Sequence, residues 1–178
     1  MFGYEMEPRR GKHLEKQLIE VIGRSKFTEF AILSGFELAT PVRDCGIDCL
    51  LYFPCEDDLL NTAVPVQLKC YSSQALTVDS KYNRMGNILH IVLWNCLDTN
   101  PKYFALTQKH AMRLAEHFNW NKLSGWVNKK GRYDATTATP RIIDEMMQYI
   151  VTTKTFKETV KHYYNLNRTK QIHSAGRD

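Results

Sequence analysis

The stretch 42–71 constrains this chain more than any other. It reads VRDCGIDCLLYFP, then an acidic turn-rich connection, then VPVQLKCY. Both ends alternate in the two-residue period of a β-strand, and the connection between them predicts a hairpin. In the first segment Ile47, Cys49, Leu51 and Phe53 share one side, opposite Asp48, Leu50 and Tyr52. In the second, Val64, Val66, Leu68 and Cys70 share one side, leaving Gln67, Lys69 and Tyr71 on the other. If the two strands pair, Asp48 faces Gln67 and Lys69. A carboxylate, an amide and an ammonium converging on one sheet face make a poor core and a suitable metal-dependent site.

The flanking sequence supports a single α/β domain over 1–164, with a core at about 11–106, extra helices over about 107–164 and a frayed tail at 165–178. The length of 178 residues suffices for one buried core. A helix is expected at 11–23, with Leu14, Leu18, Val21 and Ile22 as its buried stripe. That phase puts Glu15 inside the stripe and Glu20 among solvent-facing residues. A second helix or irregular segment follows, with Gly35 as its stop and a first strand from about 36. ILHIVLW at 88–94 is apolar on both faces and predicts a central strand. Its His90 reads as a satisfied sheet-face histidine. A short strand at 103–106 precedes a helix capped by Thr107, and Thr139-Pro140 opens another helix running through Ile150. The polar stretch 72–87 reads as a substrate-facing flap and 120–133 as a basic loop or hairpin. The helices over about 140–164 are expected to pack on the sheet or to form a homodimer surface.

The five cysteines are an odd number at mostly apolar positions, and the polar N-terminus carries no secretory pattern. Free thiols in an intracellular compartment are the expectation. No Cys-x2-Cys pair suggests zinc. The formal net charge of +5 permits a polyanionic partner, with Arg9, Arg10, Lys12, Lys81 and Arg84 as candidate phosphate contacts.

A hard cation such as Mg²⁺, or Mn²⁺ in its place, takes oxygen ligands, with one or two carboxylates from the protein. Asp48 is the central candidate, joined by the Gln67 amide oxygen, the Leu68 carbonyl and Glu15. Lys69 is placed to orient an attacking water and to stabilise charge on a phosphate. These roles describe metal-assisted hydrolysis of a phosphodiester.

Glu15, the Arg43–Asp48 run RDCGID and Gln67-Leu68-Lys69 together resemble the PD-(D/E)XK nuclease superfamily. The resemblance covers about 11–106 and is closest to members with Gln opening the last motif. Those occur among methylation-dependent restriction endonucleases and some resolvase-like groups. It implies a restriction-endonuclease-like mixed β-sheet flanked by helices, Mg²⁺-dependent endonuclease activity and DNA as substrate. Two residues depart from the pattern: no Pro precedes Asp48, and Gln67 stands where Glu or Asp is usual, which removes one negative charge. A second reading of the same pattern is therefore a nuclease scaffold that binds nucleic acid or protein without cleaving.

Overall fold

In the computed structural model the described residues are 8–43, 45–54, 59 and 62–165, the side chains of 8–13 excepted. The described residues open with a single helix, α1 (Pro8–Leu33). The break expected at Gly23 does not occur. Gly23 lies inside the helix because β3 crosses there: a Cβ at this position would lie 2.1 Å from Cys70 Sγ. Only a residue without a side chain lets helix and strand approach so closely. Gly35 ends the helical run with φ +83, the left-handed conformation expected of a helix stop.

Strands β1 (Glu37–Ala39), β2 (Cys49–Tyr52) and β3 (Ala63–Cys70) follow, then β4 (Leu76–Asp79), β5 (Leu89–Trp94) and β6 (Lys102–Thr107). Helices α2 (Gln108–His117) and α3 (Ser124–Asn128), strand β7 (Arg132–Ala135), helix α4 (Pro140–Met146), strand β8 (Ile150–Val151) and helix α5 (Phe156–Tyr164) complete the fold. Six strands form one mixed sheet in the order β1-β2-β3-β5-β6-β8. The β3–β5 pair is parallel and the others are antiparallel. The expected hairpin is β2–β3, with Cys49 opposite Val66. As its two-sided apolar pattern predicts, β5 is buried along its whole length between β3 and β6.

Each face of the sheet carries its own apolar cluster. Against one face, α1 and α5 contribute Phe27, Phe30, Phe156 and Val160, packed on Val66, Leu89, Ile91 and Ala105. Against the other, α2 and α4 contribute Ala111, Leu114, Ile142 and Met146, packed on Val92, Trp94, Phe104 and Leu106. The helices at 140–164 thus pack on the sheet. Thr107 and Thr139 cap α2 and α4 as expected. The helix begun at Pro140 stops at Met146, however, and Ile150 pairs with Phe104 as part of β8.

The two polar stretches differ most from expectation. The segment 72–87 contains β4 and a 3₁₀ turn, Ser80–Met85, and the segment 120–135 contains α3 and β7. Strands β4 and β7 pair as a separate two-stranded sheet, which sends Leu76, Val78 and Ala135 into the second cluster. The 3₁₀ turn is thereby held over the polar face of β3. No helix of the described residues is long and apolar enough to cross a membrane.

Candidate active site

The site exists because β3 outruns β2. The β2 partners of β3 end at Val66, and the main-chain N–H of Asp48 donates the last bond, to Val66 O at 2.7 Å. Beyond that point no strand of the described residues lies beside this edge of β3. The Asp48 side chain continues the ladder in the strand's place. Its Oδ2 accepts from the Leu68 N–H at 2.7 Å and also from Gln67 Nε2. The Gln67 Nε2 donates in addition to the Leu68 carbonyl at 3.3 Å. A carboxylate oxygen and a main-chain carbonyl therefore converge on one electropositive atom.

The far end of the Gln67 amide is held as well: Tyr82, on the 3₁₀ turn, donates its hydroxyl to Gln67 Oε1. Gly46 makes room for this contact. It turns the chain at φ +84, and a Cβ there would come 3.2 Å from Tyr82 Cε1. From α1, Arg24 donates Nη1 to the Asp48 carbonyl at 3.2 Å, and its Nη2 lies 3.7 Å from Asp48 Oδ1. Half-exposed as Arg24 is, this pair is worth at most about 1 kcal/mol and serves mainly to orient Asp48.

These groups line a cavity of about 440 Å³ bounded by Glu20, Arg24, Gly46, Asp48, Gln67, Leu68, Lys69, Cys70, Tyr71, Lys81 and Tyr82. Three of its side chains are cationic and two are acidic, a balance that suits a phosphate. Lys69 has its pKa lowered, first by burial and then by Lys81 and Arg132, against the opposing pull of Asp48 and Asp79. Lys81 lies 3.7 Å from Asp79 and over the Tyr82 ring.

The structure brings Asp48, Gln67, Leu68, Lys69 and Lys81 together and leaves Glu15 out. Glu15 is exposed and does not border the cavity; Glu20 does. The expected stripe of Leu14, Leu18 and Val21 is itself exposed, because α1 packs through Gly23, Phe27, Phe30 and Ala31 instead. Phasing the helix on those residues turns Glu20 toward the sheet and Glu15 away from it. Arg84 is exposed and apart from the cavity. The side chains of Arg9, Arg10 and Lys12 lie outside the described residues. Arg24 and Tyr82 had no local signal: each acts here through a contact made across distant parts of the chain.

Behind the site, His90 stands beside Gln67 in the β3–β5 register. It is buried, with Nε2 2.6 Å from Gln108 Oε1. Gln108 Nε2 in turn donates to Asn83 Oδ1 at 2.7 Å and to the Asp79 carbonyl at 3.1 Å. The acceptor at Gln108 makes His90 Nε2 the protonated nitrogen of a neutral ring. The network holds the 3₁₀ turn that carries Tyr82. Burial brings the His90 pKa down to about 4, although the bond to Gln108 opposes the shift. The sign of the pH effect follows. Below the ordinary value near 6.5 the unfolded chain takes up a proton that the folded chain refuses, so stability present above that value is lost as pH falls toward 4. Urea titrations at pH 7 and pH 4.5 are expected to show a stability loss smaller by about 2.5 kcal/mol in His90→Asn than in the parent. An equal loss in both proteins would exclude His90 as the source.

No protein-family model, no characterised protein and no solved structure matches this chain.

Among the described residues, no group of three His, Cys, Asp or Glu side chains converges. A cation at Asp48 therefore depends on one carboxylate, the Leu68 carbonyl, the Gln67 amide and water. That is the donor set of a weakly held hard divalent ion, which keeps several waters and engages few carboxylates. The residues fit such an ion in kind: the point where Asp48 Oδ2 and the Leu68 carbonyl meet is taken by the positive end of an amide dipole.

Proposed function

We propose that this protein is a Mg²⁺-dependent endonuclease of restriction-endonuclease-like fold that hydrolyses DNA phosphodiester bonds. The observation that carries this reading is the convergence of Asp48 Oδ2 and the Leu68 carbonyl on one point at the open edge of β3, with Lys69 next along the strand. The sheet supports it too, with its antiparallel β1–β2–β3 followed by a parallel neighbour and with a helix, α1, across it.

Asp48, the Leu68 carbonyl and Gln67 would hold Mg²⁺ or Mn²⁺, which supplies a lowered water pKa and neutralises phosphate charge. The Gln67 amide suits this task after half a turn. Its oxygen would then join Asp48 and Leu68, and its nitrogen would donate to the Tyr82 hydroxyl, a group able both to donate and to accept. Glu20, which borders the cavity, would add a second carboxylate to it. Lys69 orients the attacking water and stabilises negative charge gathering on the phosphate oxygens. Its lowered pKa eases proton exchange between Nζ and that water. Lys81 and Arg132, both close enough to shift Lys69, guide the DNA backbone into the cavity.

The test is cleavage of supercoiled plasmid and of single-stranded DNA with Mg²⁺ or Mn²⁺, comparing the protein with Lys69→Ala. Nicking by the parent and a loss of roughly 10²–10³-fold in the variant are expected, the size found when one preorganised charge-stabilising group is removed. Equal cleavage by both proteins would point to a contaminant. The second reading, a scaffold that binds without cleaving, draws on the same carboxylate: Asp48 already has Leu68 N–H, Gln67 and Arg24 as partners. No cleavage by either protein, together with DNA affinity that falls steeply with salt, would favour it.

A further inference from the structure

The face of α1 turned away from the sheet carries Leu14, Leu18, Val21, Ser25, Thr28 and Ile32. Successive members are four, three, four, three and four residues apart, the spacing of a seam between two supercoiled helices. In heptad terms Leu18, Ser25 and Ile32 occupy a, and Leu14, Val21 and Thr28 occupy d. Gly23 and Phe30, which face the sheet, fall at f, diametrically opposite. The large members are open: Leu14 is 54 %, Leu18 55 %, Val21 64 % and Ile32 57 % exposed, with Leu33 beside them at 67 %. The four apolar side chains of the seam leave on the order of 400 Å² uncovered, within the range of the largest patch a monomer usually carries.

We propose that this stripe is the contact face of a homodimer in which two α1 helices pair in parallel. The charges beside the seam select both partner and direction. In a parallel pair each g position meets the e position five residues further along the partner helix. Here that sets Arg24 against Glu29 of a second copy, both of them exposed. Gln17 meets Ile22, a neutral pairing. An antiparallel pair centred on the same stripe would bring Glu15 to Glu29 and Arg24 to Arg24, like charges in each case. The small hydroxyl residues Ser25 and Thr28 at the middle of the seam meet their own copies in the parallel arrangement and let the helices approach. Of the seam and flanking residues only Arg24 also borders the cavity, and the variants that test the contact leave it in place, so the test is separate from whether the cavity cleaves DNA.

Sedimentation equilibrium of the full chain decides the matter. The parent is expected at twice the 20.7 kDa of one chain, and Leu18→Glu and Val21→Glu at 20.7 kDa with unchanged circular dichroism. Ser25→Cys, at an a position, is expected to form a disulfide between the introduced thiols of two copies under mild oxidation, identified by peptide mass. A parent that remains a single chain up to about 100 μM overturns the proposal, whether an end of the chain or another protein covers the stripe. So does a Leu18→Glu variant that still dimerises. A dimer without the crosslink at position 25 overturns the parallel pairing.

Discussion

Asp48→Asn is expected to abolish cleavage while leaving the protein folded. The substitution keeps the shape of the side chain and an oxygen that accepts from the Leu68 N–H, so the cap on the edge of β3 survives. It removes the carboxylate that meets the Leu68 carbonyl and Gln67 at one point. With Gln67 already neutral, neither of its neighbours at that point offsets the lost charge. A rate loss of at least about 10³-fold follows, which is about 4 kcal/mol of transition-state stabilisation. Mn²⁺ binding, followed by the loss of its free electron-spin signal, is expected to fail in parallel. Cleavage by Asp48→Asn within threefold of the parent would remove Asp48 from the chemistry.

The second large effect concerns stability. Phe156→Ala is expected to cost about 3–5 kcal/mol, the usual range for truncating a fully buried aromatic ring. Phe156 is completely buried and meets three other rings: Phe27 and Phe30 on α1, and Phe36 just beyond its end, with centroids 6.2, 5.2 and 5.1 Å away. Little can move into the space, because those rings are themselves pinned to the sheet; Phe30 stacks on Tyr103 at 4.0 Å. For a chain of this length the loss corresponds to a melting temperature lower by roughly 10 °C or more. Thermal unfolding followed by circular dichroism measures it. A fall of only one or two degrees would mean that α5 is not part of the main core.

That expectation bears on what the sequence disclosed. Strand periodicity was enough to pair β2 with β3 and to bring Asp48 to Gln67, because a period of two leaves no choice of face. It was enough for β5 as well, where both faces are apolar. The pattern over 140–164 left two outcomes open, packing on the sheet or a dimer surface, and the burial of Phe156 and Val160 in the first cluster decides for the sheet. Helix phase misled at α1 for a physical reason: the chain offers two apolar stripes, one for the sheet and one left open, and the open one contains Leu14, Leu18 and Val21. Choosing it promotes Glu15 and hides Glu20. The β4–β7 sheet was beyond local reading. Its strands are four residues each, lie far apart in the chain, and present Thr77, Asp79, Arg132 and Asp134 on their polar side. With it went Tyr82, whose position depends on where that sheet carries the 3₁₀ turn.

The unmatched end of β3 has a consequence apart from catalysis. A strand edge with free N–H and C=O groups is a template on which a strand of another chain can add, and proteins guard such edges with charge or cover. Here the guard is the site itself. The Asp48 side chain takes the Leu68 N–H, Arg24 anchors the chain leading into β2, and the Lys69 ammonium stands beside the gap. A variant stripped of these groups together, Asp48→Ala with Arg24→Ala and Lys69→Ala, would leave several residues of bare strand edge at the mouth of the cavity. Its fate in solution would be decided by chain-to-chain strand addition, and insolubility rather than inactivity would be the first property to change.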